Sequence, residues 1–162
     1  MWGRCRKKTL EAGEAAPGFL LKSLNGDKIT LAQTLENGAA LLAFFKIGCP
    51  VCQMTFPFLE RMAENAEVRI VGISQDEAGP TEQFNQRFGV TFPTLLDASV
   101  EGYPVSKAYG ITSVPSFFLV ERDGSISKFF QGFSKRDLEE LGQRMRIAPF
   151  RADDKVPEFR PG

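Results

Sequence analysis

Two cysteines three positions apart, in Cys49-Pro50-Val51-Cys52, are the residues of this chain best suited to chemistry. A pair so spaced suits thiol–disulfide exchange, but also half of a zinc site, or two core cysteines that coincide by chance. The rest of the composition narrows the field. The chain has three cysteines and no histidine. Without histidine there is no Ser-His-Asp or Cys-His device and no His-ligated zinc, copper or haem. A covalent haem site needs a histidine directly after the second cysteine, where the chain has Gln53. Three thiols do not complete a four-thiolate zinc or iron–sulfur site. No metal site and no cofactor are expected. The available chemistry runs on thiols, carboxylates, lysines and hydroxyls.

The elements around the pair favour exchange. Ala39 to Ile47 is a nearly continuous apolar run whose length and aromatics suit a strand buried on both faces. Gly48-Cys49-Pro50 breaks it, and Val51 to Asn65 reads as a helix with Met54, Phe58 and Met62 spaced for one buried face. Cys49 then stands near the N-cap and Cys52 in the first turn. Unpaired backbone N–H groups and the positive end of the helix dipole stabilise a thiolate at the tip. Lowering a thiol pKa from about 8.5 to about 7 raises the reactive fraction at neutral pH from a few per cent to half. Pro50 fits the first helical position, where its missing N–H would be unpaired anyway. Residues three apart share a helix face, so Cys52 can reach the Cys49 sulfur and resolve a mixed disulfide formed there. Lys46, three before Cys49, is a candidate modulator of its pKa; the alternative is a strand-end lysine snorkelling to solvent.

The remaining chain supplies the scaffold. Its 162 residues, 43% apolar and 25% charged, make one globular domain. Phe19–Lys22 and Lys28–Thr30 flank Asn25-Gly26 as an N-terminal hairpin. Thr30 caps a short helix to Glu36. Val68–Ser74 and Thr94–Leu96 are strands, and Thr81–Phe88 and the Pro104-containing Ser99–Tyr109 are helices. Ser116–Glu121 and Ser125–Gln131 form a hairpin around Asp123-Gly124, and Ser134 caps a helix to about Ile147. Strands and helices alternate and end in an antiparallel hairpin, which predicts an α/β fold with a mixed sheet covered on both faces. Residues 1–12, with Trp2, Cys5 and four basic side chains from Arg4 to Lys8, read as a mobile solvated arm. Residues 13–147 read as the domain, and 148–162, holding three prolines, as an extended tail.

Twenty basic and twenty acidic residues balance. That leaves no electrostatic footprint for nucleic acid, and no apolar run is long enough to span a bilayer. The basic start is followed by polar residues rather than the apolar stretch of a signal peptide, so a cytoplasmic location is expected for the chain as it stands. An extracytoplasmic one is expected if it is a trimmed mature form.

Gly110-Ile111-Thr112-Ser113-Val114-Pro115 precedes the strand from Ser116. A proline at the start of a strand takes nothing from the ladder. A cis bond before it would free the Val114 backbone to pair with an incoming peptide; an ordinary trans proline is the alternative.

Taken together these residues resemble the thioredoxin superfamily, in its TlpA/ResA-like, redoxin (AhpC-TSA) branch. The resemblance runs from about Gly13 to Ile147. It rests on Ala16-Pro17-Gly18-Phe19, on Leu41-Leu42-Ala43-Phe44-Phe45 leading into the C-x-x-C, on Phe56-Pro57 where the family kinks its active-site helix, and on Gly110 to Leu119 with Asp123-Gly124. The 63 positions from Cys52 to Pro115 leave room for the central β-α insertion of this branch. The resemblance implies a thioredoxin-like fold and a thiol-disulfide oxidoreductase. Cys49 and Cys52 would be catalytic, Val114 and Pro115 with Pro50 and Val51 would contact substrate, and protein thiols or disulfides plus a thiol reductant or oxidant would be the partners. Three departures stand out: Gly48 replaces the Trp usual before the first cysteine, Ala43 the buried Asp of thioredoxins, and Thr55 the Glu of ResA-like members. The absent acids bear against a fast thioredoxin-like reductase. Two other functions suit the fold. A peroxiredoxin-like thiol peroxidase using Cys49 would have Thr and Pro where this chain has Lys46 and Leu42. A non-catalytic binding module, such as a copper carrier, would rely on a histidine that is absent here.

Overall fold

The computed structural model describes residues 8–64 and 67–162. Over these the chain runs β1 (Leu20–Ser23), β2 (Lys28–Thr30), α1 (Leu31–Thr34), β3 (Ala39–Phe45), α2 (Pro50–Met62), β4 (Val68–Ser74), α3 (Ala78–Phe88), β5 (Thr94–Leu96), α4 (Pro104–Tyr109), β6 (Ser116–Val120), β7 (Ile126–Gln131), β8 (Phe133–Ser134), α5 (Lys135–Met145) and β9 (Phe159–Arg160). Seven strands form one sheet in the order β2-β1-β5-β4-β3-β6-β7. β3, β4 and β5 are parallel, and the outer pairings are antiparallel. This is the expected mixed α/β sheet, with β1–β2 as the N-terminal hairpin and β4-α3-β5 lying between the two active-site segments.

β3 is apolar and buried at every position, because alternate side chains enter two different cores. Ala39, Leu41, Ala43 and Phe45 join one with α2, α3 and α5. Ala40, Leu42 and Phe44 join the other with α1 and α4. A strand sandwiched in this way shows no alternation of polarity, and only its length separates it from a helix.

The register that matters most for the site pairs β3 with β6. Because the two are antiparallel, with Phe44 opposite Ser116, the end of β3 lies beside the start of β6. The loop carrying Cys49 and the loop carrying Pro115 therefore leave the sheet at the same edge.

Several elements depart from the sequence reading. The buried face of α2 is Cys52, Thr55, Phe56, Leu59 and Met62, not Met54, Phe58 and Met62. Met54 and Phe58 are half-buried, and Phe58 stacks on Phe150 and Phe133. α3 begins at Ala78, three residues early, since Pro80 is tolerated in a first turn. Ser99–Tyr109 is not one helix. A 3₁₀ turn covers Ser99–Glu101, Tyr103 takes a left-handed φ of 53°, and α4 restarts at Pro104. The buried carboxylate of Asp97 caps that restart, accepting from the N–H groups of Val105 and Ser106 and from the Ser106 hydroxyl at 3.1, 2.7 and 2.6 Å.

The described part of the N-terminal arm is tied down, with the Leu10 N–H donating to the Tyr109 carbonyl and the Thr9 hydroxyl to that of Gly110. Trp2 and Cys5 lie outside the described residues. The tail, read as merely extended, docks on the domain through a short ladder of β9 on β8. Two-residue strands have no periodicity to find.

Leu59 is fully buried between α2 and the sheet. Leu59→Ala is expected to lower the unfolding free energy by about 2–5 kcal/mol in a denaturant titration, with an unchanged m-value.

Candidate active site

Helix α2 opens on Pro50, and Cys49 is its N-cap. The Cys49 backbone is extended (φ −84°, ψ 112°), which turns its side chain back over the first turn. There the Cys49 sulfur accepts the Cys52 N–H at 3.2 Å. A thiolate thus takes the place that a serine or aspartate oxygen takes at an ordinary helix start. Both cysteines are free thiols; Cys49 is half-buried and Cys52 wholly buried.

Their environments drive the two thiols apart. The Cys49 pKa is pulled down to about 6, chiefly by the hydrogen bond from the Cys52 thiol. Burial opposes this, and the N–H groups of Cys52 and Val51 and the charge of Lys46 assist it. The Cys52 thiol is pushed far up, first by burial and then by its hydrogen bond to Cys49. At pH 7 a group with a pKa of about 6 is roughly nine-tenths ionised. At neutral pH the outer sulfur is thus mostly thiolate and the inner one stays protonated.

The peptide bond from Val114 to Pro115 is cis. In its protonated state Cys49 donates to the Val114 carbonyl at 3.4 Å. Val114 packs against both cores, and the Pro115 carbonyl accepts the Gly132 N–H at 2.9 Å. The two segments singled out from the sequence therefore meet at one point. Pro50 is exposed beside it and Val51 half-buried in the first turn of α2. Lys46 is exposed, with its ammonium 5.9 Å from the centre of the Tyr103 ring. Its charge is the smallest of the influences on Cys49.

Two residues that the sequence did not reveal hold the turn before Cys49. Asp76, just past β4, accepts the Ile47 N–H at 2.8 Å. Gln53, in α2, donates to the Ile47 carbonyl at 2.9 Å. The Lys46–Gly48 turn is pinned at both backbone polar groups of Ile47, which fixes where Cys49 starts. Asp76 lies 29 residues away from Ile47 in the chain, so only the β3–β4 pairing brings it close.

The three departures from the family pattern have visible consequences. Gly48 has open space where a side chain would stand, so nothing there shields Cys49. Ala43 is wholly buried. Thr55 is wholly buried too, its hydroxyl donating to the Val51 carbonyl at 2.7 Å. Neither position offers a carboxylate to take the Cys52 proton. Among the described residues no group of three or more His, Cys, Asp or Glu side chains could hold a metal, and no helix is long and apolar enough to cross a membrane.

A thiol at a helix tip, a second thiol in the first turn and a cis-proline facing them define a thioredoxin-fold redox site. Comparison with known proteins agrees. Residues 12–129 match the AhpC/TSA family. The thiol-disulfide oxidoreductase ResA of Halalkalibacterium halodurans is 35% identical over 125 residues, 75% of this chain and 69% of that one. A DsbE-type thiol:disulfide interchange protein of Chlorobium tepidum superposes with a TM-score of 0.74 at 25% identity, over 85% of this chain and 97% of that one. The peroxidoxin BcpB of Mycobacterium tuberculosis, at 18% identity and a TM-score of 0.71 over 84% and 96% of the two chains, shares the fold alone. The chain belongs to the AhpC/TSA family, and within it is a ResA-like thiol-disulfide oxidoreductase.

A cysteine whose folded pKa is depressed is reactive above that value and falls silent below it. Carbamidomethylation of reduced protein should rise with pH through a midpoint near 6, set by the Cys49 thiolate. It should level off by about pH 7, whereas an unperturbed thiol keeps climbing past pH 8. Peptide mapping should find the label on Cys49 long before Cys52.

Proposed function

We propose that Cys49 is the attacking thiolate and Cys52 the resolving thiol in exchange with disulfides of protein substrates. The observation that carries this reading is the split between the two sulfurs: one at the helix tip with its pKa drawn down to about 6, the other buried beneath it and held protonated. Cys49 attacks a substrate disulfide, forms a mixed disulfide and expels one substrate thiolate. Cys52 then attacks the Cys49 sulfur. The Cys49–Cys52 disulfide forms, the second substrate thiolate leaves, and the Cys52 proton passes to a departing thiolate. Run backwards, the same steps oxidise a substrate dithiol. A partner thiol reductant or oxidant resets the pair, and neither direction uses a cofactor.

Macromolecular substrates are favoured by the surroundings of Cys49. Gly48 leaves its approach open, and the Val114 backbone beside it can pair with an extended chain. Pro50 and Val51 border the same approach, and the Lys46 charge favours the thiolate.

Cys52→Ser should accumulate a mixed disulfide through Cys49 with a disulfide-bonded test protein, visible as a reducible adduct in non-reducing electrophoresis. Cys49→Ser should form almost none. Adducts forming equally on Cys52 in the second variant would overturn the assignment. Turnover of hydrogen peroxide faster than of disulfides would favour the peroxidase chemistry instead.

A further inference from the structure

The tail beyond α5 does not leave the domain. Phe150 packs on Phe58 and Phe133, with ring centres 5.0 and 5.8 Å away. Arg61 of α2 donates to the Pro149 carbonyl at 3.1 Å and holds both carboxylate oxygens of Asp154 at 2.6 and 3.3 Å. Val156 reaches the core beneath α2. Residues 149–156 are thus well anchored.

The last five residues are held differently. Phe159 and Arg160 make the two-residue ladder on Ser134 and Phe133, the Glu158 carbonyl accepts the Lys135 N–H at 3.0 Å and its carboxylate forms an ion pair with the Lys135 ammonium at 3.6 Å, and every residue from Glu158 to Gly162 is exposed. Their path nevertheless leads to the active site. A Cβ added at Gly132, next to the loop of Pro115, would collide with the Arg160 carbonyl. One added at Gly162 would collide with the Val114 carbonyl and crowd the Pro115 nitrogen. That same Val114 carbonyl faces the Cys49 sulfur. Only a glycine fits so close to it.

We infer that residues 158–162 are a built-in occupant of the edge on which an extended substrate would dock, and so set which disulfides Cys49 can serve. This rests on the proposed exchange at Cys49. A polypeptide that pairs with the Val114 backbone must displace the tip. A small disulfide that needs only the sulfur need not. The anchor at 149–156 keeps the tip close by, at an effective concentration that a free peptide rarely matches. The exposed two-residue ladder keeps it removable. Macromolecular substrates therefore see only the fraction of molecules whose tip is out, and small ones see all of them.

The test is single-turnover oxidation of reduced protein, in which the dithiol becomes the Cys49–Cys52 disulfide and one disulfide becomes two thiols. The full chain is compared with a chain shortened after Pro157 and with Gly162→Ala, using hydroxyethyl disulfide and a disulfide-linked dimer of an extended ten-residue peptide. Both variants should react with the peptide about tenfold faster or more, and with hydroxyethyl disulfide at the rate of the full chain within about twofold. The shortened chain keeps Phe150, Asp154 and Val156, and Gly162→Ala gives a second reading if shortening harms folding. Unchanged peptide rates, or equal acceleration of both disulfides, would overturn the inference while leaving exchange at Cys49 intact. Failure of every form to react with either disulfide would instead overturn the proposed chemistry.

Discussion

The site depends first on the antiparallel pairing of β3 with β6. With Phe44 opposite Ser116, the strand that ends before Cys49 and the strand that begins after Pro115 share one edge of the sheet. Slipping that register by one residue would turn each β3 side chain into the wrong core. The two cores are filled by different helices, so packing on both faces enforces the alignment that the chemistry needs. Ala43, where thioredoxins keep a buried acid, lies within this pairing, opposite Phe117. Here the strand centre serves packing alone.

Given that alignment, the asymmetry of the two thiols follows from the helix. The same first turn that leaves N–H groups unpaired for Cys49 carries Cys52 inward, where no water reaches it. One sulfur gains donors and the other loses solvent. The Cys52 thiol also donates toward Cys49, so each pKa shift supports the other. Positions 43 and 55, Ala and Thr, place no carboxylate beside this inner thiol.

Ile47 links the sheet to this site. Its N–H and carbonyl are each held by a side chain, from Asp76 at the end of β4 and from Gln53 in α2. A side-chain carboxylate accepting a backbone N–H is a strong, directional restraint. The turn before Cys49 is therefore fixed by the parallel neighbour strand as well as by the helix that follows.

The cysteine pair, its place between a buried strand and a helix start, most of the order of elements and the second segment at Val114-Pro115 were legible in the residues alone. Each of these is local. A C-x-x-C, an apolar run, a capping serine and a turn glycine act over a few residues, and the physics that reads them is short-range. Contacts between residues far apart in the chain emerge only from the fold. Asp76 reaches Ile47 only through the β3–β4 pairing. The inward face of α2 fell on Phe56 and Leu59 rather than Met54 and Phe58, and Phe58 meets Phe150 of the tail instead. The path of residues 149–162 rests on two ion pairs, three aromatic rings and a two-residue ladder. None of these has a periodicity, so a segment that reads as an extended tail comes to lie against the Val114 carbonyl, which faces the Cys49 sulfur.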